Sequence, residues 1–411
     1  MNRIILIGNG FDLAHNLSTS YGNFIDWYWG KVKEQLKSNN KMSIDKLCKV
    51  ENKSDCGNWI YLKHFISNID DLSGRTLGQQ LLNVRFKKTE FDVQICEFLK
   101  NICKSVETKG WVDIENEYYK LLVSCSKHEI FELNHQILNS QLDCLRNKLV
   151  EYLKIIPIES IKVNTKIKNI IYSSINPNDI AVSEREQLEN HVKYWTTCDE
   201  QEYKDKMQLF KVNYLYHNEK TEFMLKGSKY DWDDIYRNYP SFCLPDNIML
   251  LNFNYTNTAN QYVQAHHPIF EINHIHGELS KPESIIFGYG DELDENYKKI
   301  SNLNDNEYLA NFKSIKYLES DRYRKALQFM DAAPYQVFIM GHSCGNSDRT
   351  FLNTLFEHKN CVSIKPYYYK NGEKDNYLEI VQNISRNFTD MKLMRDRVVN
   401  KTYCETFSED V

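Results

Sequence analysis

Four aliphatic residues, Ile4-Ile5-Leu6-Ile7, run without a polar break into Gly8-Asn9-Gly10. A run this short and this uniformly apolar reads as a strand buried on both faces, and such strands belong to parallel sheets covered by helices. Thr19-Ser20 then stand before Tyr21, Phe24, Ile25 and Tyr28 at helical spacing, so a helix is expected from about Ser20. The opening therefore reads as half of a βαβ unit.

The same pattern returns late in the chain. Strand-like runs fall at 248–253, 270–275, 284–287, 336–340 and 361–364, with helical patterns at 323–330 and 351–356. Their alternation predicts an α/β fold, a Rossmann-like, mostly parallel sheet flanked by helices. Between about 32 and 240 long polar segments carry helical stripes instead. Phe91, Ile95, Phe98, Leu99 and Ile102 form one. A second runs from Ile130 and Leu133 through Ile137, Leu138, Leu142, Leu145 and Leu149 to Leu153, with a capping box in Ser126 and Glu129 and a stop at Pro157. The expected organisation is a discontinuous core of 1–36 and 241–400, a large, mainly helical insertion over 37–240, and a loosely held tail over 401–411.

Composition narrows the function classes. Only 15 glycines and 8 prolines in 411 residues, with 42% hydrophobic residues, exclude a disordered or collagen-like chain. The net charge of −5 gives no reason to expect broad contact with nucleic acid or an anionic membrane. The small basic cluster Arg85-Phe86-Lys87-Lys88 reads as a solvated helix face. Eleven cysteines, an odd number with no C-x-x-C pair, suggest neither a disulfide framework nor a structural zinc cage. Four apolar residues are too few for a leader, and no run reaches the ~18 of a membrane span. A reducing cytoplasm is the expected setting.

Four segments hold residues suited to chemistry. Gly8-Asn9-Gly10-Phe11-Asp12 follows a strand, where small residues let backbone N–H groups approach a phosphate or ribose. An ordinary strand-to-helix turn explains it equally well. Asn252-Phe253-Asn254-Tyr255-Thr256 follows another strand, and an asparagine there can grip an amide or hold a water; the alternative is an Asx turn. In His274-Ile275-His276-Gly277 the strand period puts both imidazoles on one face, and Gly277 clears space beside His276. An imidazole titrates near neutrality and can accept a proton from a sugar hydroxyl. His266-His267 upstream raises a metal site, but no acidic or cysteine ligand stands at a recognised spacing, so no metal is expected. Gly341-His342-Ser343-Cys344-Gly345-Asn346-Ser347-Asp348 forms a further strand-to-helix turn, where Gly341, Ser343 and Asp348 could face a nucleotide. Cys344 beside His342 makes a poor nucleophile, because adjacent positions rarely align a thiol with its base.

Together these motifs resemble the abortive-infection AbiH family of bacterial antiphage proteins, most specifically through the stretch from Gly8 to Tyr21. The same order of motifs is more distantly similar to the NAD-binding core of sirtuin-like proteins. There a glycine-rich turn, a T-x-N-x-D segment, a His-Gly and a late G-x-S turn follow one another. By that resemblance Asn254 matches the asparagine and His276 the histidine. Asn252 and Thr256 replace the flanking threonine and aspartate, Asn9 replaces a small residue, and the cysteine pairs of a deacetylase zinc ribbon are absent.

What the resemblance implies is an antiphage effector hydrolysing NAD⁺ to nicotinamide and ADP-ribose. Asn254 and His276 would be catalytic, and Gly8, Asn9, Gly10, Phe11, Asp12, Asn252, Gly277, Gly341, Ser343 and Asp348 would bind the nucleotide. Control of such an enzyme implies a homo-oligomer, a phage component or an accessory defence protein. The alternatives are a non-catalytic nucleotide-binding sensor or scaffold and a nucleic-acid-directed toxin, the last disfavoured by charge.

Overall fold

The computed structural model describes residues 1–39, 42–52, 60, 62–63, 66, 68–83, 91–109, 113–130, 133–211, 232–263 and 267–406. In chain order its strands are β1 (Asn2–Ile7), β2 (Met42–Ile44), β3 (Cys48–Asn52), β4 (Phe91–Ile95), β5 (Ile248–Asn252), β6 (Phe270–His274), β7 (Tyr335–Met340), β8 (Cys361–Tyr367), β9 (Lys370–Asn371) and β10 (Lys374–Asp375). The chain gathers into two units. Met1–Asn16, Ile158–Ile285 and Tyr317–Val411 form the first, and Leu17–Pro157 with Ile286–Lys316 the second. His266 and the cluster Arg85 to Lys88 lie outside the described residues.

The first unit is built on a five-stranded, wholly parallel sheet in the order β6-β5-β1-β7-β8. Counting only these strands along the chain gives 3-2-1-4-5, the Rossmann order, in which the winding reverses between the first and fourth strands, here β1 and β7. Every residue of β1, β5, β7 and β8 is buried. Burial on both faces is why Ile4–Ile7, 248–251 and 337–340 read as apolar runs, while Arg3, Gln336, Ser363 and Lys365 are polar residues buried within the same strands. Ile5, Ile7, Leu250, Phe338 and Met340 share one core with Ile167, Ile171, Val192 and Phe242. The helices Arg322–Ala332 and Arg349–Glu357 form where the periodicity places them and pack on β6 and β8.

One expected strand is absent. The run 284–287 is irregular chain: Pro282–Ser284 make a 3-10 turn, and Ile285, Ile286 and Phe287 are buried without joining a sheet. Pro282 opens the turn with its fixed φ, and the run falls where the chain crosses from one unit to the other. Apolarity here reports burial alone.

The second unit carries the long helix Tyr21–Asn39, whose start is capped by Ser20, its Oγ accepting from Asn23 N at 3.1 Å. It also contains an antiparallel sheet, β2-β3-β4, that helical periodicity did not anticipate. The stripe drawn through Phe91 and Ile95 is split there. Phe91-Asp92-Val93-Gln94-Ile95 alternates with period two and pairs with β3, while Phe98, Leu99 and Ile102 belong to the helix Glu97–Lys109. The segment Ile286–Lys316 returns to this unit through buried contacts. Lys313 Nζ lies 2.8 Å from Glu115 Oε2, Gly288 N donates to Glu115 Oε1 at 3.0 Å, and Tyr289 stacks on Tyr119 at 3.9 Å.

The second stripe forms one helix, His135–Leu153, only from Ile137 onward, with Ile130 and Leu133 outside it, and its cap is Asn134, whose Oδ1 accepts from Ile137 N at 2.8 Å. Ser126 instead ends the preceding helix Ile114–Ser126, and His128, at φ 55°, turns the chain before Glu129 could complete a capping box. Asn134→Ala is expected to cost about 1 kcal/mol, read as a lower denaturation midpoint, whereas Ser126→Ala should leave the helix start unchanged. Among the described residues no helix is long and apolar enough to cross a membrane.

Candidate functional site

Open α/β sheets bind ligands outside the carboxyl ends of their strands. Four loops of the first unit leave that edge: Gly8 to Asp12 after β1, Phe253 to Thr256 after β5, Ile275 to Gly277 after β6, and Gly341 to Asp348 after β7. They carry nearly every residue singled out by sequence, and they form two side-chain clusters.

The first cluster surrounds Asp12, which sits in the short helix Asn9–Leu13 and is 1% exposed. Thr256 Oγ1 donates to Asp12 Oδ2 at 2.6 Å. Asn254 Nδ2 donates to the Gly8 carbonyl at 2.9 Å, which ties the β5 loop to the β1 loop. Burial raises the Asp12 carboxyl from the usual 3.8 to about 6, and the neighbouring side chains of Thr256, Thr258 and Asn254 offset only part of that rise. Its Oδ1 is buried with no hydrogen-bond partner, as is Thr258 Oγ1.

A carboxyl in this state costs stability. Between pH 4 and 6 the folded chain holds a proton that the unfolded chain has released, so stability falls as pH rises through that window and stays lower above it. The shift from 3.8 to about 6 corresponds to about 3 kcal/mol at 1.36 kcal/mol per unit. Asp12→Asn keeps an acceptor for Thr256 and offers an amide N–H to Thr258 Oγ1. The variant is expected to be more stable than the native chain at pH 8 by up to about 3 kcal/mol, and equal to it near pH 4. Denaturant titrations at both pH values read the difference.

The second cluster is built on imidazoles. His276, 4% exposed, places Nε2 3.2 Å from Asp348 Oδ1 and 3.1 Å from the Tyr317 hydroxyl. The other oxygen of Asp348 lies 3.4 Å from His342 Nε2. His342 Nδ1 accepts from Cys344 N at 3.0 Å, which leaves Nε2 to carry the proton in the neutral ring. Phe253 packs against both rings, with centroids 5.0 Å from His276 and 4.2 Å from His342. Asp348 thus bridges two buried histidines, an arrangement that orients an imidazole and sets its tautomer.

The remaining residues divide by environment. Asn252 is 1% exposed; its Nδ2 donates to Thr256 O at 2.9 Å, its Oδ1 accepts from Asn254 N at 2.9 Å, and His274 Nδ1 lies 3.3 Å away. It shapes the turn that presents Asn254. Phe11 is fully buried against His15 and Tyr262, which gives its ring a packing role. The glycines bring backbones together. A Cβ on Gly8 would stand 2.5 Å from His342 Cα, and one on Gly341, at φ +78°, 2.1 Å from Phe11 N. Gly8 N donates to Met340 O and Gly10 N to Gly341 O, so these amides serve the junction of the β1 and β7 loops. Gly277, at φ +89°, likewise abuts Ser284 O. Asn9 and Ser343 are exposed on the same two loops. Burial pushes the Cys344 thiol up, away from thiolate reactivity.

Tyr317, His342, Thr256 and Thr258 were not selected from sequence. His342 could have been recognised, since a histidine in a strand-end loop six residues before an aspartate can share its carboxylate. Tyr317 carries no such signal, being one of 27 tyrosines in an irregular stretch. Among the described residues no group of three or more His, Cys, Asp or Glu is placed to hold a metal ion.

A family model described as bacteriophage abortive infection AbiH matches residues 4–369. No curated protein and no solved structure matches the chain.

Proposed function

Because this chain belongs to the AbiH family, its setting is bacteriophage abortive infection, and we propose that it acts there by hydrolysing NAD⁺ to nicotinamide and ADP-ribose. The observation that carries this reading is the buried His276–Asp348 pair beyond the carboxyl end of β6, in a sheet of Rossmann strand order.

The reaction asks little of side chains. The C–N bond between ribose and nicotinamide breaks, nicotinamide departs neutral with the bonding pair, and water bonds to the ribose carbon while releasing a proton. The transition state is oxocarbenium-like, so positioning and the handling of one proton do most of the work. His276 takes the proton, with Asp348 orienting its ring; Asn254 holds the water or a ribose hydroxyl; Asp12 lies beside the ribose. Because the Gly8 and Gly10 amides are used inside the protein, the exposed Asn9 and Ser343 are the better candidates for contact with the diphosphate and adenosine ends. The second unit, through self-association, a phage component or an accessory protein, would govern when the site is active.

Purified protein with NAD⁺, alone and with extract of infected cells, tests the proposal by nicotinamide release. Release in either condition that fails in Asn254→Ala supports it. NAD⁺ bound without release favours instead the sensor reading, which the internally committed glycine amides make specific. Absence of both binding and release overturns the NAD⁺ assignment.

A further inference from the structure

The loop after β7 holds one residue in a costly conformation. Cys344 is fully buried at φ 54°, in the left-handed region where residues other than glycine are strained. Two side-chain amides brace the turn: Asn383 Nδ2 donates to Ser343 O and Asn387 Nδ2 to Cys344 O, each at 2.8 Å. The turn aims Cys344 N back at His342 Nδ1, 3.0 Å away.

That one donor orders the protons beyond it. With Nδ1 accepting, the neutral His342 ring carries its proton on Nε2, which faces Asp348 Oδ2 at 3.4 Å. A carboxylate offers only lone pairs. Its other oxygen, Oδ1, lies 3.2 Å from His276 Nε2, so this contact too takes its proton from the ring. The Tyr317 hydroxyl, 3.1 Å from the same nitrogen, competes, because it can donate to a bare Nε2 and so favours the opposite tautomer. The charged acceptor is the stronger partner. It prevails only while the carboxylate keeps its orientation, and His342 grips it at the far oxygen.

We propose that His342 is a positioning residue: through Asp348 it keeps the proton of the neutral His276 ring on Nε2 and so makes Nδ1 the nitrogen that accepts a proton. The catalytic half of this inference rests on the NAD⁺ reading. As water bonds to the ribose carbon, its O–H bond breaks, the electron pair stays on oxygen and the proton bonds to Nδ1, while Nε2–H remains on Asp348.

Two substitutions separate this role from simple support of the loop. His342→Asn keeps an acceptor for Cys344 N, as in an Asx turn, but ends short of Asp348. His342→Gln gives up that acceptor and carries an amide N–H out to the place of Nε2. Both remove the ring that packs on Phe253. A residue that only shapes the turn predicts that Asn is the milder change; the proposal predicts that Gln is.

Long-range proton–nitrogen NMR spectra of the full chain, labelled at histidine and recorded with the rings neutral, read the tautomers directly, with His276→Ala and His342→Ala assigning the signals. In the native chain both rings are expected to carry the proton on Nε2. In His342→Asn the His276 signals should shift toward the Nδ1–H form, and in His342→Gln they should return to Nε2–H. Nicotinamide release should follow the same order, with kcat about tenfold or more lower in His342→Asn, KM nearly unchanged and most of the loss recovered in His342→Gln. A native His276 protonated on Nδ1, or an Asn variant that matches or surpasses the Gln variant in tautomer or turnover, overturns the proposal. If the native chain releases no nicotinamide, the NAD⁺ reading fails by itself and the spectra alone decide the role of His342.

Discussion

His276→Ala is expected to lower nicotinamide release from NAD⁺ by about 100-fold or more, within the range for loss of a positioned acid–base group. On the proposed reading the fall should appear in kcat, with KM nearly unchanged, because the imidazole would handle a proton that moves only as the glycosidic bond breaks. Asp348→Asn gives the finer test. It preserves the shape beside His276 Nε2 and His342 Nε2 but removes the negative charge between them. Its kcat should drop less than that of His276→Ala, because the imidazole stays in place and loses only the carboxylate charge beside it. Retention of more than a tenth of native turnover in His276→Ala would remove His276 from the mechanism.

Gly341→Ala is expected to destabilise the first unit by more than about 4 kcal/mol. Two penalties add. The residue sits at φ +78°, where a side chain is strained, and the new Cβ would stand 2.1 Å from Phe11 N and 2.5 Å from Gly10 C. Both obstructing atoms are backbone, held by the Gly10 N to Gly341 O bond and by the burial of Phe11, so neither can swing aside. Gly372→Ala is the control. Gly372 has a similar positive φ of +58° but open space around it, so only the conformational penalty of about 1 kcal/mol applies. Equal losses in the two variants, measured by chemical denaturation, would show that the β1 and β7 loops do not pack as described.

The sheet was legible because parallel strands announce themselves. Ile4 to Ile7 and 337–340 have no polar face to confuse the pattern, and β1, β5 and β7 form where such runs precede small or polar turns, while β6 and β8 carry polar residues within the strand. Failures occurred where one signal serves two structures. The run 284–287 is as apolar as a strand but only buries loop, and Phe91 with Ile95 satisfies helical spacing and strand alternation alike. The site was legible one loop at a time. His276, Asn254, Asp12 and Asp348 each stand out beside a strand end, yet nothing linear says that Asp348 would face His276 and His342 across two loops, or that Thr256 would reach Asp12. Those pairings depend on strand order, and 3-2-1-4-5 brings together residues separated by more than 70 positions in one case and more than 240 in the other.

The same strand order governs how the molecule comes off the ribosome. β1 is made first and occupies the centre of the sheet, but its neighbours β5 and β7 follow only after roughly 240 and 330 residues. At ~5–20 residues per second the central strand waits on the order of tens of seconds for both partners. No incomplete chain lacking β7 can close the sheet or bring the His342 and Asp348 loop to His276. Assembly of the site is therefore among the last events of synthesis, and a nascent or truncated chain cannot present it.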